Sequence, residues 1–459
     1  MVISPFDPFI LANGFVVLDG GLATELEAQG ADLTGDLWSA ALLADNPSLI
    51  RETHLAYYRA GSDVATSASY QASIEGFERE GFCRERAKEL LLLSVSLAVE
   101  ARDLFWAEHE RHATSTAAAP AAAPTPAPAS TSTTKSSETT AQDPPPTAAS
   151  PPPPSTTRTE AEVVERQPSR RSADEEGRPG RPRRRPMVAA SLGCYGAALA
   201  DGSEYRGDYG VTMGQQGLKE WHRERLELLA GADGVDLVMF ETIPCLAEVR
   251  GILSLLQDLR PKVGVVISVS CKDGHHLRSG ESVQEFADLI WRRQSEAEGR
   301  DDTSKEEETA AVTAVPACVV GVGANCTAPD HVAPFAESVA TAPSPRPVAR
   351  HRAQDSSPPR IVLVAYPNSG EEWNADARDW VEGTGLREAK GGGAGRGRGR
   401  GVEEFGRMAR DEWYLGGAGA NVVGGCCRTR PAHIAEVRRA LASAAVQVEE
   451  EEEEHPAEH

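Results

Sequence analysis

Two cysteines stand side by side in Gly425-Cys426-Cys427, just after the apolar run NVVGG, and a third, Cys326, closes another such run as GANC. Adjacent cysteines at the end of a buried strand can both reach one soft cation where a turn follows. Three thiolates suit zinc, and three protein ligands leave the fourth tetrahedral position open, as a catalytic site requires and a structural one does not. The competing reading is that each cysteine is a small buried hydrophobe. For the three together, at strand ends, one Zn2+ per chain is the reading carried forward. Cys194, Cys245 and Cys271 also lie near strand ends and are read as packing residues, with alternative ligation as the competitor. Cys83 and Cys318 are read as structural, and His275-His276 as a solvated or hydrogen-bonding pair in the turn-like KDGHH stretch.

Two acids have a similar placement. Asp19 precedes Gly20-Gly21 at the end of one apolar run, and Glu241 ends another inside FETIP. Each could be a loop or helix-cap acid. If both face one cavity, they suit an ammonium group, because charge-assisted bonds are the stronger ones. Tyr70, Tyr195, Tyr366, Asn325 and Asn368 also fall where apolar runs stop.

These residues need a scaffold that brings many strand ends together. The runs at 15–21, 62–70, 187–196, 235–244, 263–271, 318–326, 361–369 and 421–427 are short and rich in β-branched residues, and helical patterns lie between them. They are continuously apolar rather than alternating, as parallel strands buried on both faces are. Eight strand–helix units predict an α/β fold, a (β/α)8 TIM barrel, in preference to an open doubly wound sheet. In such a barrel every strand end opens on one mouth. Asn46 followed by Pro47 predicts the start of one of its helices.

The barrel is expected over 1–445, interrupted by four inserts. The stretch 113–186 is rich in Pro, Ala, Ser and Arg, 295–315 is acidic, 341–359 is polar and 388–402 is rich in Gly and Arg. Such composition buries too little apolar surface to offset chain entropy, which predicts disorder. The same holds for an acidic tail over 446–459. The inserts fall on the side away from the mouth, where they should not touch the chemistry.

Composition excludes several classes. A net charge of -22 argues against nucleic acid and anionic membrane as partners. No run nears the ~18 apolar residues of a membrane span. The eight cysteines of a 459-residue chain are no disulfide framework. The first residues lack a basic region followed by an apolar one, which favours a cytoplasmic protein with reduced thiols. GGGAGRGRGRG follows no strand and opens no helix, so it is not read as a phosphate loop.

The motifs DGGLATELE (19–27), TSASYQAS (66–73), GCYGAALADGSEYRGDY (193–209), FETIP (240–244), SCKDGHHLRSG (270–280), GVGANCT (321–327), YPNSGEEW (366–373) and GGCCRTRP (424–431) together resemble the homocysteine S-methyltransferase family. The resemblance runs from about residue 14 to 445 outside the inserts. It implies a (β/α)8 barrel, zinc ligands Cys326, Cys426 and Cys427, and Asp19 and Glu241 holding the amino group of homocysteine. Tyr70 and Asn325 are implied as further pocket residues. The implied partners are homocysteine and a cationic methyl donor, with methionine as product. The YGA…ADGSEYRG stretch looks more like members that use S-methylmethionine, with S-adenosylmethionine as a second donor and betaine as the nearest competitor. A selenol or other thiol acceptor, or a non-catalytic zinc-binding scaffold, remain alternatives. The oligomeric state stays open.

Overall fold

A computed structural model describes residues 3–33, 37–118, 183–199, 201–209, 213–295, 315–340, 361–371, 373–374, 379–381, 384–386, 400–416 and 419–454. Its centre is a ring of eight strands: β1 (Val16–Val17), β2 (Val64–Thr66), β3 (Met187–Gly193), β4 (Leu237–Ile243), β5 (Gly264–Val269), β6 (Val319–Asn325), β7 (Val362–Tyr366) and β8 (Val422–Val423). All pairings are parallel, in the order β1-β8-β7-β6-β5-β4-β3-β2. The bridge Leu18–Val64 and the bond from Asp63 N–H to Val17 O at 2.7 Å join the two ends of that order. The expected (β/α)8 barrel is thus the architecture.

The strands are fully buried, which explains their unbroken apolar sequences. Alternate side chains divide between two layers. Val16, Leu18, Met187, Ala189, Leu237, Met239, Val364 and Val422 pack inside the ring, with Phe6, Phe9 and Ile10 of the first helix (Asp7–Asn13) among them. Val17, Val188, Ala190, Val238, Phe240 and Ala365 pack outward against the helices. By the same alternation Ser191 and Glu241 continue the inward rows of β3 and β4.

Each strand is followed by helix. The major ones are Pro47–Arg59, Arg84–Ala118, Gln215–Ala230, Leu246–Leu259, Val283–Ser295, Val332–Ala340, Arg400–Met408 and Pro431–Glu454. Asn46 does sit at the N-cap before Pro47, but its side chain accepts from Ser48 Oγ at 2.9 Å rather than capping the backbone.

The ordered strands at β1, β2 and β8 are only two or three residues long, shorter than the sequence runs. Helices also intrude on three stretches expected to be disordered. Arg84–Ala118 extends past 113, Arg400–Met408 begins before 402, and Pro431–Glu454 carries on past 446. Extending an existing helix needs no new nucleus, and Ala and Glu are good helix formers, so the acidic run adds turns to the last helix. Apart from 183–186, where Arg183 Nη2 donates to Tyr58 O and Ser62 O at 3.2 Å each, the rest of those inserts and of the tail lies outside the described residues. A short antiparallel ribbon, Trp373–Asn374 with Asp379–Trp380, was not expected and follows β7. Among the described residues no helix is long and apolar enough to cross a membrane.

Candidate metal and substrate site

β6 ends at Asn325, and Cys326 turns off it in the left-handed region at φ +48°. β8 runs into Gly424-Gly425 and then Cys426 and Cys427, followed by Arg428 at φ +66°. Non-glycine residues adopt this conformation at a cost of about 1–3 kcal/mol and keep it only where surrounding structure enforces it. Here the enforcing contacts are visible. Cys426 N–H donates to Pro367 O at 2.8 Å, Thr429 Oγ1 donates to Cys426 O at 2.6 Å, and Gly425 N–H donates to Asp19 O at 3.0 Å. A Cβ on Gly21 would sit 2.7 Å from the Cys426 carbonyl oxygen, so only glycine lets the β1 turn approach the cysteine turn.

The three sulfurs meet as the sequence predicted. Cys326 Sγ lies 2.9 Å from Cys426 Sγ and 3.5 Å from Cys427 Sγ, and the latter two are 4.0 Å apart. Among the described residues these three form the one cysteine, histidine or carboxylate group close enough to hold a metal ion. Their protons are coupled. Hydrogen bonds from Cys426 and Cys427 hold the Cys326 thiol well below its usual range, and the same bonds to Cys326 push the other two up. The cluster therefore releases one proton readily and resists releasing more. Three thiolates this close need a cation, and a soft divalent ion of zinc's type fits the donor set.

Beside the sulfurs lie the two acids. Asp19 Oδ2 accepts from Thr66 N–H at 2.8 Å, and Thr66 Oγ1 reaches both carboxylate oxygens at 3.1 Å. Burial raises the Asp19 carboxyl well above its usual value against these bonds, and Glu241 adds to the rise. Glu241 accepts from Ser191 Oγ and is pushed up to about 7, chiefly by burial, with Cys426 contributing. Tyr366 lies against Glu241 and Ser268. No arginine, lysine or histidine pairs with either acid among the described residues. Two buried carboxyls with no cation of their own make a place for an ammonium group.

Asn325 and Tyr70 differ in kind. Asn325 is fully buried, and both ends of its amide are taken by Thr242, whose N–H donates to Oδ1 and whose Oγ1 accepts from Nδ2, each at 2.8 Å. Thr242 is itself left-handed at φ +60°, at the point where β4 and β5 shift register, one residue after Glu241. Asn325 thus fixes the turn that aims Glu241, and its Nδ2 also points at Cys426 Sγ, 3.9 Å away. Tyr70 lies beside Cys194 and Cys326, its phenol raised well above normal by burial first.

The remaining cysteines divide as follows. Cys194, Cys245, Cys271 and Cys318 are buried and unbonded to one another; burial pushes Cys245 and Cys271 up to about 12 and Cys318 up to about 11. Cys83 is exposed instead. His276 Nδ1 pairs with Asp273 at 3.0 Å and His275 Nδ1 contacts Ser338 Oγ at 3.3 Å, far from metal ligation.

Several partners were not singled out from sequence. Thr66, Ser191 and Thr242 are small hydroxyl residues whose roles depend on where two strands pair. Arg278, whose Nη2 donates to Cys326 O at 3.1 Å and whose Nε donates to Ser270 Oγ at 3.2 Å, sat unremarked in the SCKDGHHLRSG motif.

The homocysteine S-methyltransferase family model matches residues 16–441. The chain belongs to the homocysteine S-methyltransferase family. It is 36% identical over 434 residues to homocysteine S-methyltransferase 4 of Zea mays, covering 94% of this chain and 91% of that one. It is 31% identical to selenocysteine Se-methyltransferase of Brassica oleracea var. italica, covering 94% and 90%. Among solved structures, the metallated form of the homocysteine methyltransferase MmuM from Escherichia coli superposes with a TM-score of 0.58 at 27% identity, covering 95% of this chain and 99% of that one. The protein is accordingly a methyltransferase.

Proposed function

We propose that the protein transfers a methyl group from a sulfonium donor, S-methylmethionine or S-adenosylmethionine, to the thiol of homocysteine, giving methionine, with one zinc ion per chain held by Cys326, Cys426 and Cys427. The observation that carries this reading is the meeting of three cysteine sulfurs beside two buried carboxyls that lack a cation. Three protein ligands leave a position for a fourth, which a closed structural site would fill. Zinc bound there supplies the Lewis acidity that keeps a substrate thiol deprotonated near neutral pH.

The protein's own residues do the positioning. Asp19 and Glu241 take the homocysteine ammonium, which replaces the missing counter-charge for both. Asn325 holds the Thr242 turn, and with it Glu241, relative to Cys426. Tyr70 walls the pocket beside Cys326. The substrate sulfur then attacks the donor methyl carbon in line. One carbon–sulfur bond forms and one breaks, the bonding pair leaves with the donor as a neutral thioether, and the thiol proton passes to solvent. A selenol acceptor on the same site is a second reading, favoured by the likeness to a selenocysteine Se-methyltransferase.

The test is methionine formation by zinc-loaded protein from homocysteine, with S-methylmethionine, S-adenosylmethionine and betaine supplied in turn. Turnover with a sulfonium donor is expected. Cys426→Ala should lose bound zinc and more activity than the roughly 10- to 100-fold that removing an outer partner of a metal ligand costs. Turnover with betaine alone, or with no donor, would sink the reading.

A further inference from the structure

The loop after β3 leaves the mouth end of that strand and carries chemistry that the acceptor site does not use. It runs from Cys194 through a short helix, Tyr195–Leu199, to a 3-10 turn, Ser203–Tyr205. The turn is tightly built. Gly202 enters it at φ +77°, Asp201 Oδ1 accepts from Ser203 N–H at 2.9 Å, and Gly207 N–H donates to Ser203 O at 2.8 Å. A Cβ on Gly196 would stand 2.5 Å from the Glu204 backbone nitrogen, so the loop is folded hard against its own helix. Tyr209, at its far end, donates to Glu248 Oε2 at 2.8 Å.

Glu204 sits at the middle of this turn with one carboxylate oxygen, Oε2, buried and without a partner. Its charge acts on Tyr70, Cys194 and Tyr205. Arg278 ties the turn to the sulfurs: its guanidinium carbon lies 5.7 Å from the Tyr205 ring centroid and its Nη2 donates to Cys326 O at 3.1 Å. Arg206 is exposed and turns its guanidinium toward Asp201 O, and at Glu204 its charge and that of Asp201 act in opposite senses. Burial raises the Glu204 carboxyl to about 7. A buried carboxylate oxygen left without a partner is costly unless a cation arrives to match it.

We propose that Glu204 is the counter-charge for the sulfonium group of the methyl donor, with the rings of Tyr70 and Tyr205 as the aromatic wall of that subsite. The assignment rests on the sulfonium-donor reading above. A sulfonium centre has no N–H or O–H to donate. It is recognised by an opposite charge and by aromatic faces, the two features this turn brings together. The acceptor's ammonium has its own acids, Asp19 and Glu241, on β1 and β4. The two cations of the reaction would thus meet separate carboxylates, one set on strand ends and one on the loop.

The experiment compares S-methylmethionine with methionine, the uncharged thioether of nearly the same shape, by calorimetric binding to the zinc-loaded full chain without homocysteine. Wild type should bind the sulfonium at least about tenfold more tightly. Glu204→Gln and Glu204→Met should each lose that preference and raise the donor KM by a similar factor, leaving the homocysteine KM unchanged. Glu204→Asp should keep part of the preference. Circular dichroism and zinc content establish that the variants are folded. If either neutral variant, folded and zinc-loaded, keeps the full preference while wild type turns over S-methylmethionine, the assignment of Glu204 falls and the methyltransferase reading stands. If wild type shows neither preference nor turnover with any sulfonium donor, both fall together.

Discussion

The strand-borne and loop-borne halves of the barrel mouth are satisfied to different degrees. On the strand ends, Asp19 is bonded by Thr66, Glu241 by Ser191, and the Thr242 turn by Asn325. These groups are aimed by ladder-paired backbone and can move little. The loop over 194–209 is also well folded, yet it leaves a Glu204 oxygen unpartnered. A binding site is strained where it awaits a ligand. The strand half has spent its strain on backbone angles at Thr242, Cys326 and Arg428, which hold ligands in register. The loop half holds it as a buried carboxylate oxygen with no hydrogen-bond partner. On this reading the strand ends define the acceptor and the chemistry, and the loop discriminates among donors.

Glu241 gives the largest test of the strand half. Glu241→Gln keeps the shape and the Ser191 contact but removes the charge facing the substrate ammonium, so homocysteine KM should rise by about 10- to 100-fold. Its carboxyl is pushed up to about 7. In wild type, homocysteine KM should therefore fall as pH rises from about 6 to 8 and the carboxylate forms, and the variant should lack this fall. The stability consequence has the opposite sign. Between about pH 4.5 and 7 the unfolded chain has ionised at this residue while the folded protein has not, so wild type loses up to about 3 kcal/mol as pH rises through that window. Thermal melts of zinc-free Glu241→Gln should be flatter across it. Equal slopes for the two proteins would mean that Glu241 is not the buried acid it is taken for here.

Asn325 sharpens the comparison, because it is a strand residue whose amide is bonded at both ends to Thr242. Asn325→Leu removes both bonds to Thr242 and the amide aimed at Cys426. Zinc affinity and homocysteine KM should each worsen by about tenfold, the lower end for an outer partner of a metal ligand. Thr242→Gly, which adopts the left-handed turn freely, should recover part of the homocysteine KM in the double variant and none of the zinc affinity. If Asn325 only touched substrate, the zinc affinity would not move.

The barrel and the meeting of the three cysteine sulfurs were legible because each rests on a local signal that the fold cannot rearrange. Continuous apolar runs specify buried parallel strands, and a reactive residue ending such a run must open on the mouth. The bracing of Thr242 by Asn325 was not legible, since it depends on two strands meeting across the ring and on a register shift between β4 and β5. Glu204 was hidden for another reason. Its motif marked the loop, but nothing in ADGSEYRGDY says which of its three acids turns inward; Asp201 and Asp208 are exposed. The tail's charge suggested solvation from 446, whereas its position at the end of a helix lets that helix run on to Glu454.

The smallest effect is expected from the stretch 119–182, which lies outside the described residues and joins the helix Arg84–Ala118 to the residues before β3. Replacing it with a Gly/Ser linker a quarter as long should leave kcat and both KM values unchanged. Closing a shorter loop costs less entropy, about 0.6 kcal/mol for each halving, so the shortened protein should gain about 1 kcal/mol in stability. A change in donor KM would break the comparison drawn here, because it would couple that stretch to the loop over 194–209. Unchanged kinetics with the small gain in stability would leave donor choice to that loop.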